Sequence, residues 1–321
     1  MRILVTGSEG FIGSHLADTL VRRGHDVVGF VQYTSSGSLG WLDDLDPDIR
    51  AGIRPVLGDI RDQATILPAM SGVDAVAHLA ALISVPYSFE ATRSFVDTNT
   101  TGTLNVIDAA RAGGARRVLV MSTSEVYGSA VTRPMDESHR LHAQSPYAAS
   151  KIGAEKVAES LSLSRDTDIV IARGFNTFGP RQSTRAVVGT ILQQIAAGAR
   201  TLTLGALGSR RDLNYVTDVA RALALLLESD SGFRADVFNI STGSSVSVAE
   251  IVQCVSEIIG EAVSISVRED LLRASDVDVL EGDSRRLRAS TGWTPEIDFV
   301  DGLSRTLAWW RSEERLPHPG I

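Results

Sequence analysis

Three glycines, Gly7, Gly10 and Gly13, stand at fixed spacing in "ILVTGSEGFIGSHLADTLVRRG", directly behind an apolar run and at the opening of a helical pattern. Glycine is required where a backbone turns tightly and where it must approach a pyrophosphate, whose charge then meets the amides of the helix start. A lone glycine triplet says little. Its position after the first strand, inside a complete βαβ unit, makes it a dinucleotide cradle, with Phe11 and Ile12 completing the loop. The acid that usually closes the second strand and holds the adenosine ribose is missing: "VVGFVQYTSSG" has Gln32 and Tyr33 there. That element alone does not decide between NAD and NADP. With no arginine to greet a 2′-phosphate, NAD is the expectation. Asp59 and Ile60 in "LGDI" are candidates for the adenine edge, the competing reading of Asp59 being a turn aspartate.

The cradle sits in a regular alternation. Short apolar, β-rich runs recur at Ile3–Val5, Val27–Val31, Ile53–Leu57, Val76–Leu79, Val118–Met121, Ile169–Ala172 and Val237–Ile240, with helical patterns between them. Runs this uniformly apolar are buried on both faces, which requires a parallel sheet covered by helices. The expected fold is α/β, a Rossmann-type doubly wound parallel sheet of about seven strands, with a smaller interleaved C-terminal part. Residues 1–175 are expected to hold the cofactor and residues 176–321 mainly the substrate, with some segments returning to the core. A chain of 321 residues is long enough for both cores. With 31 basic against 39 acidic residues and a net charge of −8, it has no overall field to attract nucleic acid or an anionic membrane. The one cysteine, Cys254, falls in the apolar pattern "AEIVQCVSEIIG" and reads as a core thiol. No apolar stretch reaches membrane-spanning length and no secretory leader opens the chain, so a cytoplasmic protein is expected. Trp309 and Trp310 are expected to pack the last helix against the body.

Two further segments carry chemistry. "SPYAASKIGAEKVAE" begins with a cap candidate, Ser145, then Pro146 in a first-turn position and an Ala-rich helical run. Tyr147 and Lys151, four apart, share one face of that helix. Bringing a phenol from its free pKa near 10 to about 7 needs roughly 4 kcal/mol of preferential phenolate stabilisation. A neighbouring ammonium and an oxidised nicotinamide are the cations that supply it. In "VLVMSTSEVYGSA" an apolar run stops at hydroxyl residues and a carboxylate follows. If the extended geometry persists, Thr123 and Glu125 look into one space; otherwise Glu125 is a solvated loop acid.

The ordered set "TGSEGFIGSHL", "GDIRD", "HLAA", "DTNTTGTLNV", "STSEVYG", "SPYAASK", "RGFNTFGPRQ" and "RRDLNYVTDV" resembles the extended short-chain dehydrogenase/reductases, the nucleotide-sugar epimerases and dehydratases, across nearly the whole chain. The resemblance implies NAD as cofactor, a catalytic triad of Thr123, Tyr147 and Lys151, and a cofactor lining by Leu79, Ala80 and Ala81. It also implies transient oxidation at sugar carbon 4, which acidifies the carbon 5 proton. A dehydratase then needs a base to expel the carbon 6 hydroxyl, and Glu125 in Thr123-Ser124-Glu125 holds that place. Ser124 departs from the aspartate that protonates the leaving hydroxyl in many relatives, leaving Glu125 itself or a water as the donor.

Asn176, Arg181 and Arg185, with Arg211 and Arg273, are candidates for the substrate diphosphate, and Ser84 for the hexose. "AALISVPYS" and "NTFGPRQSTRAVV" are most similar to bacterial dehydratases of UDP-N-acetylglucosamine, including those that make a 5,6-ene in antibiotic biosynthesis. The expected product is a 5,6-ene or a 4-keto-6-deoxy sugar. Relatives pair through segments equivalent to residues 98–113 and 146–165, so a homodimer is expected. His139 and His142 read as solvated loop histidines, and the chemistry needs no metal. A nucleotide-sugar 4-epimerase, with Glu125 a bystander, is the alternative enzyme. A non-catalytic dinucleotide sensor is the alternative outside catalysis, and the intact triad argues against it.

Overall fold

In the computed structural model, which describes residues 1–163, 168–268 and 277–312, all seven predicted runs become strands of one sheet. The strands in chain order are β1 (Arg2–Thr6), β2 (Asp26–Gln32), β3 (Ile53–Gly58), β4 (Ala75–His78), β5 (Arg117–Thr123), β6 (Asp168–Gly174), β7 (Asn176–Phe178), β8 (Thr201–Leu204), β9 (Arg210–Tyr215), β10 (Arg234–Ile240), β11 (Ser245–Ser247), β12 (Ser264–Val267) and β13 (Val279–Leu280). The large sheet runs β10-β6-β5-β4-β1-β2-β3 with every pairing parallel. Successive side chains of a strand face opposite layers, and both layers here are apolar. Ile3 and Val5 pack with Leu16, Leu20, Leu223 and Leu227 on one face, while Leu4 packs with Ile66, Val106 and Ile107 on the other. Each such fully buried aliphatic side chain contributes about 1.5–3 kcal/mol.

The chain builds outward from β1 to β3, then crosses back to β4. That reversal opens a crevice between β1 and β4 at their carboxyl ends, where doubly wound sheets bind their ligands. Thr6, the last residue of β1, lies in register with His78, the last of β4.

The later half forms a smaller layer. β9 pairs in parallel with β7 and β13 and antiparallel with β11, beside a two-stranded β8–β12 ribbon. Helices Val187–Ala196, Val248–Ile259 and Phe299–Arg311 enclose a core of Ile191, Leu192, Val255, Leu303 and Trp310. Trp309 meets Trp41 edge to face at 5.7 Å, and Cys254 lies half-buried against this core. Helix Val216–Glu228 and β10 then return to the large sheet. Asp212 of β9, wholly buried, accepts from the amides of Thr242 and Gly243 after β10 and of Gly282 after β13, and so ties those two turns to this layer. Among the described residues no helix is long and apolar enough to cross a membrane.

Candidate active site

At Gly7 and Gly13 the loop leaves no room for a side chain. A Cβ on Gly13 would lie 2.0 Å from the Gly7 carbonyl oxygen, and one on Gly7, whose φ is +69°, 2.9 Å from Ala80 backbone atoms. Gly10 begins helix Phe11–Arg22, and no side chain caps that helix start. Bare backbone amides at a helix N-terminus have the geometry that suits an anionic group such as a phosphate. Phe11 meets His15 edge to face, and Ile12 packs into the core. Gln32 is exposed at the end of β2. Asp59 is held below the usual carboxylate range by Arg61, whose amide and guanidinium both bond it, the pattern of a turn aspartate. Ile60 is buried, with its carbonyl accepting from Asn105.

The opposite wall is fixed by a residue the sequence reading passed over. Thr103 donates to the Asn99 carbonyl, so its oxygen accepts from His78 Nε2 at 3.0 Å. His78 Nδ1 must then accept the Thr6 hydroxyl proton at 2.8 Å, and the Thr6 oxygen takes the amides of Leu79 and Ala80 at 3.1 Å each. Burial, and then the charge of Lys151, hold the imidazole neutral, its pKa lowered to about 3. The chain fixes the backbone of Leu79 and Ala80 beside Gly7, with Ala81 half-buried next to them. A histidine inside the apolar run "VAHLAA" was the available signal.

Helix Pro146–Ser162 starts as its sequence dictates, with the Ser145 hydroxyl accepting from the Ala148 amide and Pro146 in the first turn. Tyr147 is nearly buried and packs edge to face on Phe95. Burial pushes its phenol up to about 12, a hydrogen bond from Thr123 opposes this, and the charge of Glu125 adds to it. Lys151, one turn further along the same helix, donates from Nζ to the Met121 carbonyl at 2.6 Å, and burial lowers its pKa to about 8 against the opposing charge of Glu155.

Glu125 does not sit on an extended strand. β5 ends at Thr123, and a 3₁₀ turn, Ser124–Tyr127, begins, capped by the Thr123 hydroxyl accepting from the Glu125 amide at 3.2 Å. The turn buries Ser124 and leaves Glu125 half-buried, near enough to Tyr147 for its charge to act on the phenol. Thr123, Glu125 and Tyr147 thus share one space, through a cap rather than a pleat.

Two buried polar assemblies hold this corner. Glu155, one helical turn beyond Lys151, accepts from Ser122 at 2.5 Å and from Arg173 at 2.7 and 3.0 Å, and Arg173 also donates to Tyr127, which donates to Asn239. Asn99, in a π-helical stretch, exchanges two hydrogen bonds with the Leu82 backbone and donates to Ser150, joining the loop after β4 to the helix carrying Tyr147.

The residues expected on the substrate side fall in different places. Asn176 heads β7, and its Oδ1 is buried with no hydrogen-bond partner among the described residues. Ser84 caps helix Val85–Glu90 by accepting from the Tyr87 amide at 3.4 Å. Arg181 has a left-handed φ of +70°, and its guanidinium donates to the Ser14 hydroxyl at 3.2 Å, on helix Phe11–Arg22. The preceding Pro180 carbonyl fixes the turn by accepting from His15 at 3.0 Å. Arg185 is exposed ahead of helix Val187–Ala196. Arg211 donates to the Val277 carbonyl at 2.6 Å, while its neighbour Arg210 pairs with Glu250. Arg273 lies outside the described residues. His139 accepts the Val131 amide and packs against Tyr127.

A family model described as GDP-mannose 4,6 dehydratase matches residues 4–306. A dTDP-glucose 4,6-dehydratase of Actinoplanes sp. is 34% identical over 326 residues, covering 97% of this chain and 98% of the relative. TunA, an NAD-dependent NDP-hexosamine 5,6-dehydratase involved in tunicamycin biosynthesis, superposes with a TM-score of 0.84 at 29% identity, over 96% of this chain and 97% of its own. A UDP-N-acetylglucosamine 4-epimerase from Methanobrevibacter ruminantium M1 gives 0.86 at 28% identity, over 96% and 97%.

Proposed function

Because the chain belongs to the GDP-mannose 4,6-dehydratase family of NAD-dependent nucleotide-sugar enzymes, we propose that it is a dehydratase of UDP-N-acetylglucosamine, eliminating water across carbons 5 and 6 after transient oxidation at carbon 4. The observation that carries the reading is Glu125 beside Thr123 and Tyr147, a half-buried carboxylate that an epimerase has no use for. Gly7, Gly10 and Gly13 with Phe11, Ile12, Leu79, Ala80 and Ala81 hold NAD, in the part formed by residues 1–175. Residues 176–321 hold mainly the nucleotide sugar, with Asn176, Arg211 and Arg273 toward the diphosphate. Arg181 stands closer to the cofactor phosphates.

NAD, when bound, supplies the acceptor for the carbon 4 hydride and returns it. Tyr147 takes the carbon 4 hydroxyl proton, helped by the Thr123 hydroxyl that donates to its oxygen. Like charges so close resist being ionised together. A Tyr147 that has just gained a proton therefore leaves Glu125 in its carboxylate form, the form that removes the carbon 5 proton. The electrons of that C–H bond form the new double bond as the carbon 6 C–O bond breaks. Glu125 then gives its proton to the departing oxygen, since Ser124 is buried and weakly acidic. Hydride returned to carbon 4, with the Tyr147 proton given back to the carbon 4 oxygen, leaves a 5,6-ene; hydride delivered to carbon 6, with the proton left on Tyr147 replaced on carbon 5 through solvent, leaves a 4-keto-6-deoxy sugar. Likeness to TunA supports the 5,6-ene and a role in antibiotic biosynthesis. The enzyme works in the cytoplasm as a homodimer packed through residues 98–113 and the Pro146–Ser162 helix, near the exposed Phe89 and Val96.

Incubation with UDP-N-acetylglucosamine, dTDP-glucose and GDP-mannose, followed by mass spectrometry, tests this. Loss of one water from the first substrate supports the reading; an isomer of unchanged mass supports the 4-epimerase. Deuterium placed at carbon 4 reports where the hydride goes. Glu125→Gln is expected to abolish elimination while bound NAD is still reduced, and normal dehydration by that variant would remove Glu125 from the mechanism.

A further inference from the structure

The acid missing from the end of β2 has a substitute from another element. Glu9 lies in the glycine loop, between Gly7 and Gly10, and its Oε1 accepts the amide of Gln32, the last residue of β2, at 3.0 Å. Its backbone oxygen accepts from the Trp41 amide at 3.0 Å. Gly40, with φ +58°, closes over it so tightly that a Cβ there would lie 2.7 Å from the Glu9 carbonyl oxygen and 3.0 Å from its Cβ. The side chain is therefore clamped with its carboxylate at the β2 end. Its second oxygen, Oε2, is shielded from solvent and has no hydrogen-bond partner among the described residues. A buried acceptor left without a donor is costly and calls for a ligand or a structural reason. In a doubly wound sheet the adenosine ribose lies over the carboxyl end of β2, with the pyrophosphate at the adjacent glycine loop.

We propose that Glu9 is the ribose-binding acid of this chain, accepting the adenosine 2′-hydroxyl and selecting NAD against NADP. Gln32 contributes only its amide, which orients the carboxylate. A 2′-phosphate would remove the hydroxyl donor and set negative charge against Glu9, so one residue both favours NAD and excludes NADP. In the sequence the position looked vacant because the acid stands 23 residues ahead of the strand end, inside the glycine motif.

The test is isothermal titration of the full-length protein, freed of cofactor, with NAD, NADP and 2′-deoxy-NAD, alongside thermal shifts. Glu9→Gln keeps an oxygen for the Gln32 amide while removing the charge. The wild type is expected to bind 2′-deoxy-NAD and NADP at least ~10-fold more weakly than NAD, the scale of one charge-assisted hydrogen bond. Glu9→Gln is expected to lower NAD affinity ~10-fold or more, to leave 2′-deoxy-NAD nearly unchanged, and to narrow the NAD to NADP ratio by a similar factor. An unchanged ratio, or equal loss for all three ligands together with a lower melting temperature, would make Glu9 a purely structural clamp and overturn the proposal. Should the variant not fold, equal binding of NAD and 2′-deoxy-NAD by the wild type overturns it as well.

Discussion

Mild acid should weaken this fold through His78, in an amount that follows from its hydrogen bonds. The native imidazole donates from Nε2 to Thr103 and accepts at Nδ1 from Thr6, so a second proton would have to break the Thr6 bond inside the sheet. Burial and the nearby Lys151 charge put its native pKa at about 3, whereas an unfolded histidine titrates near 6.5. Between these values the unfolded chain binds a proton that the native one does not, so the stability present above pH 6.5 is lost as pH falls. From pH 7 to pH 5 the difference is about 1.5 pH units of titration, or about 2 kcal/mol from His78 alone. Urea unfolding at pH 7, 6 and 5, followed by tryptophan fluorescence, measures it, and His78→Gln isolates it, since His15, held at about 4, contributes to both proteins. The variant is expected to be less stable at pH 7 but to lose about 2 kcal/mol less than the wild type on going to pH 5. Equal acid losses in the two proteins, within about 0.5 kcal/mol, would refute the assignment of a neutral, doubly bonded His78.

The Glu155–Arg173 pair offers another test: Glu155→Gln strands a buried guanidinium at a cost of about 3–5 kcal/mol, and adding Arg173→Met should recover much of it. Urea midpoints that show no recovery in the double variant would mean the pair is not what holds this corner. The same Glu155→Gln change removes the charge that raises Lys151, so the alkaline limb of the pH–rate profile should move to lower pH. Gly13→Ala would place a methyl against the Gly7 backbone, none of which is a flexible side chain. A loss of about 1–3 kcal/mol and of co-purifying NAD is expected by differential scanning calorimetry and absorbance. Full NAD content in that variant would rule out the glycine loop as the cradle.

Strand positions were legible because a parallel strand covered by helices on both faces is largely apolar, as the central runs of β1, β2, β4, β5 and β6 are; the edge strand β3, with Arg54 and Leu57 exposed, keeps that pattern only in part. The glycine cradle and the Ser145–Pro146 helix start were legible for the same reason: each is a local requirement of backbone geometry. Glu125 comes to Tyr147 by a route the sequence does not show, because whether a chain continues extended or turns at a threonine depends on a single cap hydrogen bond. Arg181 shows the same limit: a left-handed φ at a non-glycine residue has no sequence mark, and it accompanies a guanidinium turned to the Ser14 hydroxyl.

What only the tertiary structure decided are the pairings between distant residues. Thr6 meets His78 because β1 and β4 are neighbours in register, 72 positions apart in the chain. Glu155 meets Arg173 because its helix packs against β6, and Glu9 meets Gln32 because the loop after β1 lies beside the end of the neighbouring strand β2. The sequence by itself determined which segments must be buried and where the backbone must be bare; which polar groups then face one another follows from strand order and register, which no local pattern encodes.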